Sequence, residues 1–175
     1  MDEAAQRRGK WWKIALASVL AIELLGGLSG WVSNSGYGNG WFDGLTKPNF
    51  MPPGPVFGIV WPILYGLLGI SLAIIFAEPP SARRRVGLIL FFAQLALNFA
   101  WSPIFFALHD ISLAKVVIFV MAALAAAAAG QFLRIRPVAG WLMAPYLAWL
   151  VFAATLTTTI ERLNPGASAS VFGLR

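Results

Sequence analysis

Long apolar segments with almost no charged residues recur five times along the chain. Each of them reaches or approaches the roughly 20 residues that an α-helix needs to cross a bilayer core of about 30 Å. The strands of a membrane β-barrel would instead alternate polar and apolar residues, and these segments do not. The pattern predicts an all-α integral membrane bundle of five transmembrane helices, over about residues 12–33, 56–77, 86–107, 112–133 and 138–161.

The composition agrees with a membrane location. Hydrophobic residues make up 59% of the 175 residues and charged residues 11%, whereas soluble domains have about 25% charged residues. Five spans leave too little chain for a second domain, so we predict one membrane domain over residues 1–175. The net charge of +6 comes from basic residues that flank the spans, which lipid headgroups explain without nucleic acid as a partner. The absence of cysteine excludes disulfides and thiolate chemistry.

Basic residues are distributed unequally between the two ends of the spans. A cytoplasmic N-terminus places nine of them on the cytoplasmic side, namely Arg7, Arg8, Lys10, Lys13, Arg83, Arg84, Arg85, Arg134 and Arg136. It leaves four on the other side, namely Lys47, Lys115, Arg162 and Arg175. The positive-inside rule therefore predicts a cytoplasmic N-terminus and a C-terminus on the opposite side. In a bacterium, which we expect as the source, helical spans favour the inner membrane, and the outer membrane is left open as an alternative.

The connection between the first two spans, residues 34–55, differs from the three short ones. It contains Gly36, Gly38 and Gly40 and ends in the proline-rich segment 52–55. Glycines permit sharp bends, whereas prolines stiffen the exit and suit the start of a helix. Ordered loops of this length in compact domains tend to be lids or binding loops, so we predict that this loop covers a site.

Polar and aromatic residues in the third span share one helical face. Gln94, Asn98, Trp101 and Phe105 are spaced by four, three and four residues, which places them within a stripe about 60° wide. Unpaired amides in hydrocarbon are costly, so this face should point into the bundle. Spacing leaves two interpretations open: interhelical hydrogen bonds that stabilise the bundle, or polar anchors inside a ligand pocket.

Three further features are candidates for function. The pairs Trp61 and Tyr65, and Tyr146 and Trp149, each lie on one face of a span. Glu23 lies near the middle of the first span, where a carboxyl group is either a functional residue or a side chain hydrogen-bonded within the bundle. Gly26 and Gly30, together with the small residues 125–130, are predicted to form packing contacts within the chain or contacts in a dimer. We predict Asp110 as a helix N-cap and His109 as a loop residue, not a metal ligand.

The ordered set of motifs resembles the translocator protein family, also called tryptophan-rich sensory proteins. The resemblance extends from the first loop to the fifth span. It is carried by Trp41-Phe42-Asp43-Gly44-Leu45-Thr46-Lys47-Pro48, Pro52-Pro53-Gly54, Val60-Trp61 with Leu64-Tyr65, Ala93-Gln94-Leu95 with Asn98, Trp101-Ser102-Pro103-Ile104-Phe105-Phe106, and Pro145-Tyr146-Leu147 with Trp149.

The resemblance implies a five-helix membrane protein, commonly a homodimer, that binds porphyrins and other hydrophobic molecules in a pocket closed by the first loop. No cofactor is required, and a porphyrin or haem-type tetrapyrrole is the expected ligand. The sterol signature of eukaryotic relatives needs a tyrosine followed closely by lysine or arginine near the end of the fifth span. This chain has no tyrosine there and reads Leu156-Thr157-Thr158-Thr159-Ile160-Glu161-Arg162, so sterol recognition through that motif is not expected. Together with the helical faces, the resemblance predicts a ligand site formed by Trp41, Pro48, Trp61, Tyr65, Gln94, Asn98, Trp101, Phe105, Tyr146 and Trp149.

Three functions are compatible with such a pocket. The first is a receptor or carrier for tetrapyrroles, with a regulatory role in tetrapyrrole metabolism under stress, oxygen or light. The second is a light-dependent porphyrin-degrading enzyme, in which Trp61 and Trp149 are the candidate catalytic residues. The third is a proton-coupled transporter that uses Glu23, although the chain shows no internal repeat. We expect the first.

Overall fold

The computed structural model describes residues 11–169, which form seven α-helices and one π-helical turn. The basic residues Arg7, Arg8, Lys10 and Arg175, used above to predict topology, lie outside the described residues. The helices are α1 (Trp11–Val32), α2 (Gly40–Gly44), α3 (Gly54–Ala77), α4 (Ala82–Ser102), α5 (Ile111–Leu133), α6 (Pro137–Leu142) and α7 (Ala144–Leu163).

Within residues 11–169, five helical segments are long and apolar enough to cross a membrane. They are α1, α3, α4 together with the π-helical turn, α5, and α6 together with α7, and they contain 22 to 27 residues each. Tryptophans near the ends of these spans are exposed, as Trp31 (79%) and Trp141 (68%) show, which suits anchors at the membrane interface. The predicted all-α fold with five membrane-spanning helices is confirmed.

Side chains cap the helices that follow two of the short connections. Ser81 accepts a hydrogen bond from the backbone N–H of Arg84 at 3.1 Å and begins α4. Asp110 accepts one from the N–H of Leu113 at 2.9 Å and begins α5, which confirms its predicted role as an N-cap. Such caps satisfy backbone donors that have no partner within the helix.

Prolines alter the geometry of two spans. Pro103 begins the π-helical turn Pro103–Ala107, in which the N–H of Leu108 bonds to the carbonyl of Pro103 at 2.9 Å. Pro145 follows the break between α6 and α7, because its ring cannot continue the regular backbone hydrogen bonds. The wide turn buries Phe105 and Phe106 beneath the first loop, so it shapes the interior of the bundle at that end.

Small residues let the helices approach one another closely. A Cβ atom at Gly69 of α3 would lie 2.7 Å from the backbone Cα of Val19 on α1. On α5, Ala125, Ala128 and Ala129 are buried in the core of the chain. This part of the small-residue run therefore serves packing within one chain, while a homodimer stays a prediction.

The first loop is folded against the end of the bundle. Asn39 caps α2 through its contact with the N–H of Phe42 and also donates to the carbonyl of Phe106 at 3.3 Å. Lys47 donates from Nζ to the carbonyl of Phe42 at 2.8 Å. Asn164, at the end of α7, exchanges two hydrogen bonds with the backbone of Thr46. These contacts fix the loop over the interior of the bundle.

Candidate functional site: an aromatic cavity beneath the first loop

A cavity of about 530 Å³ lies inside the bundle under the first loop. Side chains from α1, α3, α4, α5 and α7 form its walls, together with the π-helical turn and loop residues. Six of the predicted ligand-binding residues line it: Trp61, Tyr65, Asn98, Trp101, Phe105 and Trp149. Residues from three separate spans therefore meet around one space, as the helical faces predicted.

The cavity wall next to α3 and α7 is built from aromatic rings in contact. Phe57, Trp61 and Tyr65 follow one another at intervals of four residues on α3, so they share a face. The ring centroids of Trp61 and Tyr65 are 5.2 Å apart, and those of Trp61 and Trp149 are 6.4 Å apart with an angle of 83°. Phe57 contacts Trp149 edge to face at 5.8 Å. Such rings offer a flat ligand both faces and edges for contact.

Asn98 links the cavity to a buried hydrogen-bond network. The hydroxyl of Tyr65 donates to Oδ1 of Asn98 at 2.7 Å, and Nδ2 of Asn98 donates to the hydroxyl of Tyr146 at 3.1 Å. That hydroxyl donates in turn to Oε1 of Gln94 at 2.7 Å. Gln94 and Asn98 therefore both form interhelical hydrogen bonds, as the first interpretation predicted. Asn98 also lines the cavity, and its role as a polar anchor for a ligand stays a prediction.

Two buried N–H groups lack a hydrogen-bond partner within residues 11–169. They are Nε2 of Gln94 and Nε1 of Trp149. By contrast, the indole N–H of Trp101 donates to the carbonyl of Ala114 at 3.1 Å. Buried donors without an acceptor are costly. The Trp149 ring lines the cavity, but its Nε1 atom is buried, so a bound molecule would reach this N–H only after a small shift of the indole.

The cavity differs from the predicted pocket at four positions, since Trp41, Pro48, Gln94 and Tyr146 do not line it. Gln94 and Tyr146 are fully buried within the hydrogen-bond network. Trp41 stacks on His109 with centroids 4.4 Å apart, so its ring is turned toward the loop between α4 and α5. Pro48 is buried within the first loop, where its carbonyl accepts from the N–H of Met51 at 2.9 Å.

Other residues on the cavity wall were not predicted. Tyr37, Phe42 and Met51 reach it from the first loop, and Phe57 reaches it from α3. Phe57 could have been found from its spacing, because it precedes Trp61 by four residues on the same helix. The loop residues carry no periodic signal, so nothing in the sequence indicates which of them point inward.

Glycines of α1 form another part of the cavity wall, next to Tyr65. Gly26, Gly27 and Gly30 line the cavity together with Glu23, which precedes them by three, four and seven residues. This spacing places all four on one helical face. An added Cβ at Gly26 would lie 2.2 Å from Cε2 of Tyr65, whereas one at Gly27 would meet no atom within 4 Å. Tyr65 therefore depends on Gly26 for its position.

Gly26→Ala is expected to displace the Tyr65 ring and disrupt its hydrogen bond to Asn98. Overpacking of this kind costs about 1 to 3 kcal/mol of stability. Gly27→Ala is the matched control, one residue away and in open space, and it should unfold at or above the wild-type temperature because alanine favours helix. Thermal unfolding in one detergent compares the two. Equal midpoints for both variants would contradict the close contact.

Clusters of metal-binding side chains are not found at this site among the described residues. No group of three or more His, Cys, Asp or Glu residues that could hold a metal ion occurs in the described range 11–169. His109 has a positive φ of 56° in the loop before α5. Its imidazole lies against Trp41, outside the cavity wall.

Comparison with known proteins identifies relatives over most of the chain. Residues 17–163 match the model of the TspO/MBR family. The human translocator protein is 38% identical over 133 residues, which cover 75% of this chain and 79% of the relative. The tryptophan-rich protein TspO of Archaeoglobus fulgidus is 36% identical over 149 residues, which cover 85% of this chain and 95% of the relative.

Protein CrtK of Rhodobacter capsulatus is a further relative. It is 33% identical over 127 residues, which cover 72% of this chain and 79% of the relative. The family match includes every residue named above as part of the cavity wall, and relatives from an animal, an archaeon and a bacterium each cover more than two thirds of the chain. This integral membrane protein, with its five spans and its cavity beneath the first loop, therefore belongs to the TspO/MBR family.

Proposed function

We propose that the protein is a membrane receptor or carrier that binds a porphyrin or a related hydrophobic tetrapyrrole in the cavity beneath the first loop. The observation that carries the proposal is the cavity itself, about 530 Å³ in volume and lined by Trp61, Trp101 and Trp149. Its volume falls within the range of about 300 to 1,000 Å³ found for small-molecule pockets. Binding would let the protein act as a regulator of tetrapyrrole metabolism.

Apolar burial supplies most of the affinity in this proposal. A tetrapyrrole is flat and largely apolar, and each Å² of apolar surface removed from water contributes roughly 25 cal/mol. Stacked and edge-to-face contacts with Trp61, Tyr65 and Trp149 add a smaller, directional contribution. The N–H of Trp149, which is buried and has no partner within the described residues, would orient the ligand once a small shift of the indole lets it donate to an acceptor there. The folded first loop would keep water out.

Topology and assembly are part of the same proposal. Among the described basic residues, Lys13, the run 83–85, Arg134 and Arg136 lie at one end of the spans. Lys47, Lys115 and Arg162 lie at the other, which supports a cytoplasmic N-terminus. The first loop would then close the cavity from the non-cytoplasmic side of a bacterial membrane. A homodimer would leave this cavity within each copy, because all of its walls come from one chain.

Titration with protoporphyrin in nanodiscs tests the proposal. Wild-type protein should show saturable quenching of tryptophan fluorescence. Trp149→Phe keeps an aromatic ring but removes the N–H, so the loss of one hydrogen bond of about 0.5 to 1.5 kcal/mol should weaken binding by about 2- to 12-fold. The control is Trp141→Phe, at a tryptophan that is 68% exposed on α6. Non-saturable quenching that is the same in all three proteins would contradict the proposal.

A further inference from the structure

Glu23 places a carboxyl group inside the membrane and on the cavity wall. It follows Lys13 by ten residues on α1, a rise of about 15 Å, and precedes Val32 by nine, so it lies near the middle of the span. Its side chain is half-buried and lines the cavity on the same face as Gly26, Gly27 and Gly30. Because glycines have no side chains, this wall leaves the carboxyl group open to the cavity.

Residues 11–169 offer the Glu23 carboxyl group no hydrogen-bond or ion-pair partner. Glu23 forms no hydrogen bond or ion pair with another residue in the described part of the chain, and no Lys, Arg or His residue lines the cavity there. The two tyrosine hydroxyls on the wall donate elsewhere, that of Tyr65 to Asn98 and that of Tyr37 to the carbonyl of Pro52. The Glu23 carboxyl group therefore has no partner among the described residues and lines a space that an occupant of the cavity would share.

The chemistry of a carboxylate at this depth decides which occupants fit. Removing a charged carboxylate from water is costly unless a donor or cation pairs with it. A ligand with an ammonium or N–H group supplies that pair through a charge-assisted hydrogen bond. A ligand that brings its own carboxylate next to Glu23 would either place two like charges together or bind a proton between them, and no cation on the described wall offsets that cost.

We propose that Glu23 determines the charge selectivity of the cavity, favouring ligands that present a basic amine or N–H donor toward α1 over ligands that present a carboxylate there. The inference rests on the proposed function, because it concerns the ligand of the same cavity. Tetrapyrroles that carry acidic substituents would bind with those substituents directed away from α1. Ligands with basic substituents would bind with them against Glu23.

Three probes with one macrocycle and different charge test this selectivity. They are protoporphyrin with two free carboxylates, its neutral dimethyl ester, and its bis(2-aminoethyl)amide with two ammonium groups. Nanodiscs of zwitterionic lipid are used because their surface has no net charge, so the charge of a probe does not control how much of it enters the bilayer. In wild-type protein we expect the ammonium probe to bind most tightly and the carboxylate probe most weakly, with dissociation constants about tenfold apart or more.

Glu23→Gln keeps the size of the side chain and removes its charge, so it should bring the dissociation constants of the three probes within about threefold of one another. The control is Glu78→Gln, because Glu78 pairs with Arg136 outside the cavity and its loss should leave the order unchanged. If the three probes keep their order of affinity in Glu23→Gln, the inference is overturned while the binding proposal is left intact. If that variant does not fold, the test is the order of the three affinities in the wild-type protein. The inference is then overturned if the carboxylate probe binds most tightly. If none of the three probes binds saturably, the proposed function itself is overturned.

Discussion

Replacing both Trp61 and Trp149 by alanine is expected to weaken protoporphyrin binding by about two to three orders of magnitude. Truncating a central aromatic residue in a binding site costs about 2 kcal/mol or more, which corresponds to about 30-fold in affinity for each. Both indoles line the cavity, and their ring centroids are only 6.4 Å apart. The two losses of binding free energy are therefore not expected to be additive, because neighbouring residues share contacts.

The measurement for this variant follows the porphyrin absorption band, because the substitutions themselves remove two of the 8 tryptophans that quenching would report. The matched control is Trp31→Ala with Trp141→Ala, at tryptophans that are 79% and 68% exposed and lie outside the cavity wall. That control should bind as the wild type does. If the double variant Trp61→Ala with Trp149→Ala has the same dissociation constant as the control, these two indoles are not part of the binding site.

Gly69→Ala is expected to destabilise the protein by about 2 to 3 kcal/mol, or to prevent its folding. The added methyl group would lie 2.7 Å from the Cα and 2.8 Å from the backbone N of Val19. Backbone atoms cannot rotate away as a side chain can, so α1 and α3 would have to separate. Because α1 and α3 both line the cavity, their separation should also weaken ligand binding.

Gly66→Ala is the matched control for this prediction, three residues earlier on the same helix. A Cβ atom there would meet no atom within 4 Å, so the helix should tolerate or gain from alanine. The midpoint of thermal unfolding in a single detergent compares the two variants with the wild type. The close contact between α1 and α3 would be contradicted if Gly69→Ala unfolded at the same temperature as Gly66→Ala.

Hydropathy predicts the five spans well because a membrane helix needs a minimum length of apolar chain. It does not show local changes in backbone hydrogen bonding. The third span was predicted from residue 86, whereas α4 begins at Ala82, because Ser81 caps a first turn that contains three arginines. The π-helical turn after Pro103 and the break between α6 and α7 likewise depend on hydrogen bonds that no hydropathy pattern contains.

Spacing predicts which side of a helix faces inward, but it does not predict how deep a side chain lies. Gln94, Asn98 and Phe105 are all buried, which confirms the inward face of the third span. Only Asn98 and Phe105 of these three reach the cavity, because Gln94 lies behind Asn98 within the hydrogen-bond network. Trp41 stacks on His109 because of the conformation of the first loop. Loop residues have no sequence periodicity, so the direction of this side chain could not be predicted.

The most direct test of the binding proposal is an experimental structure of the protein with protoporphyrin bound in nanodiscs. The proposal predicts the macrocycle inside the bundle, in contact with Trp61 and Trp149 and above Asn98, under the first loop. A macrocycle held on the outer surface of the spans, for example in the groove between α5 and α7 near Arg162, with the cavity free of porphyrin, would contradict it.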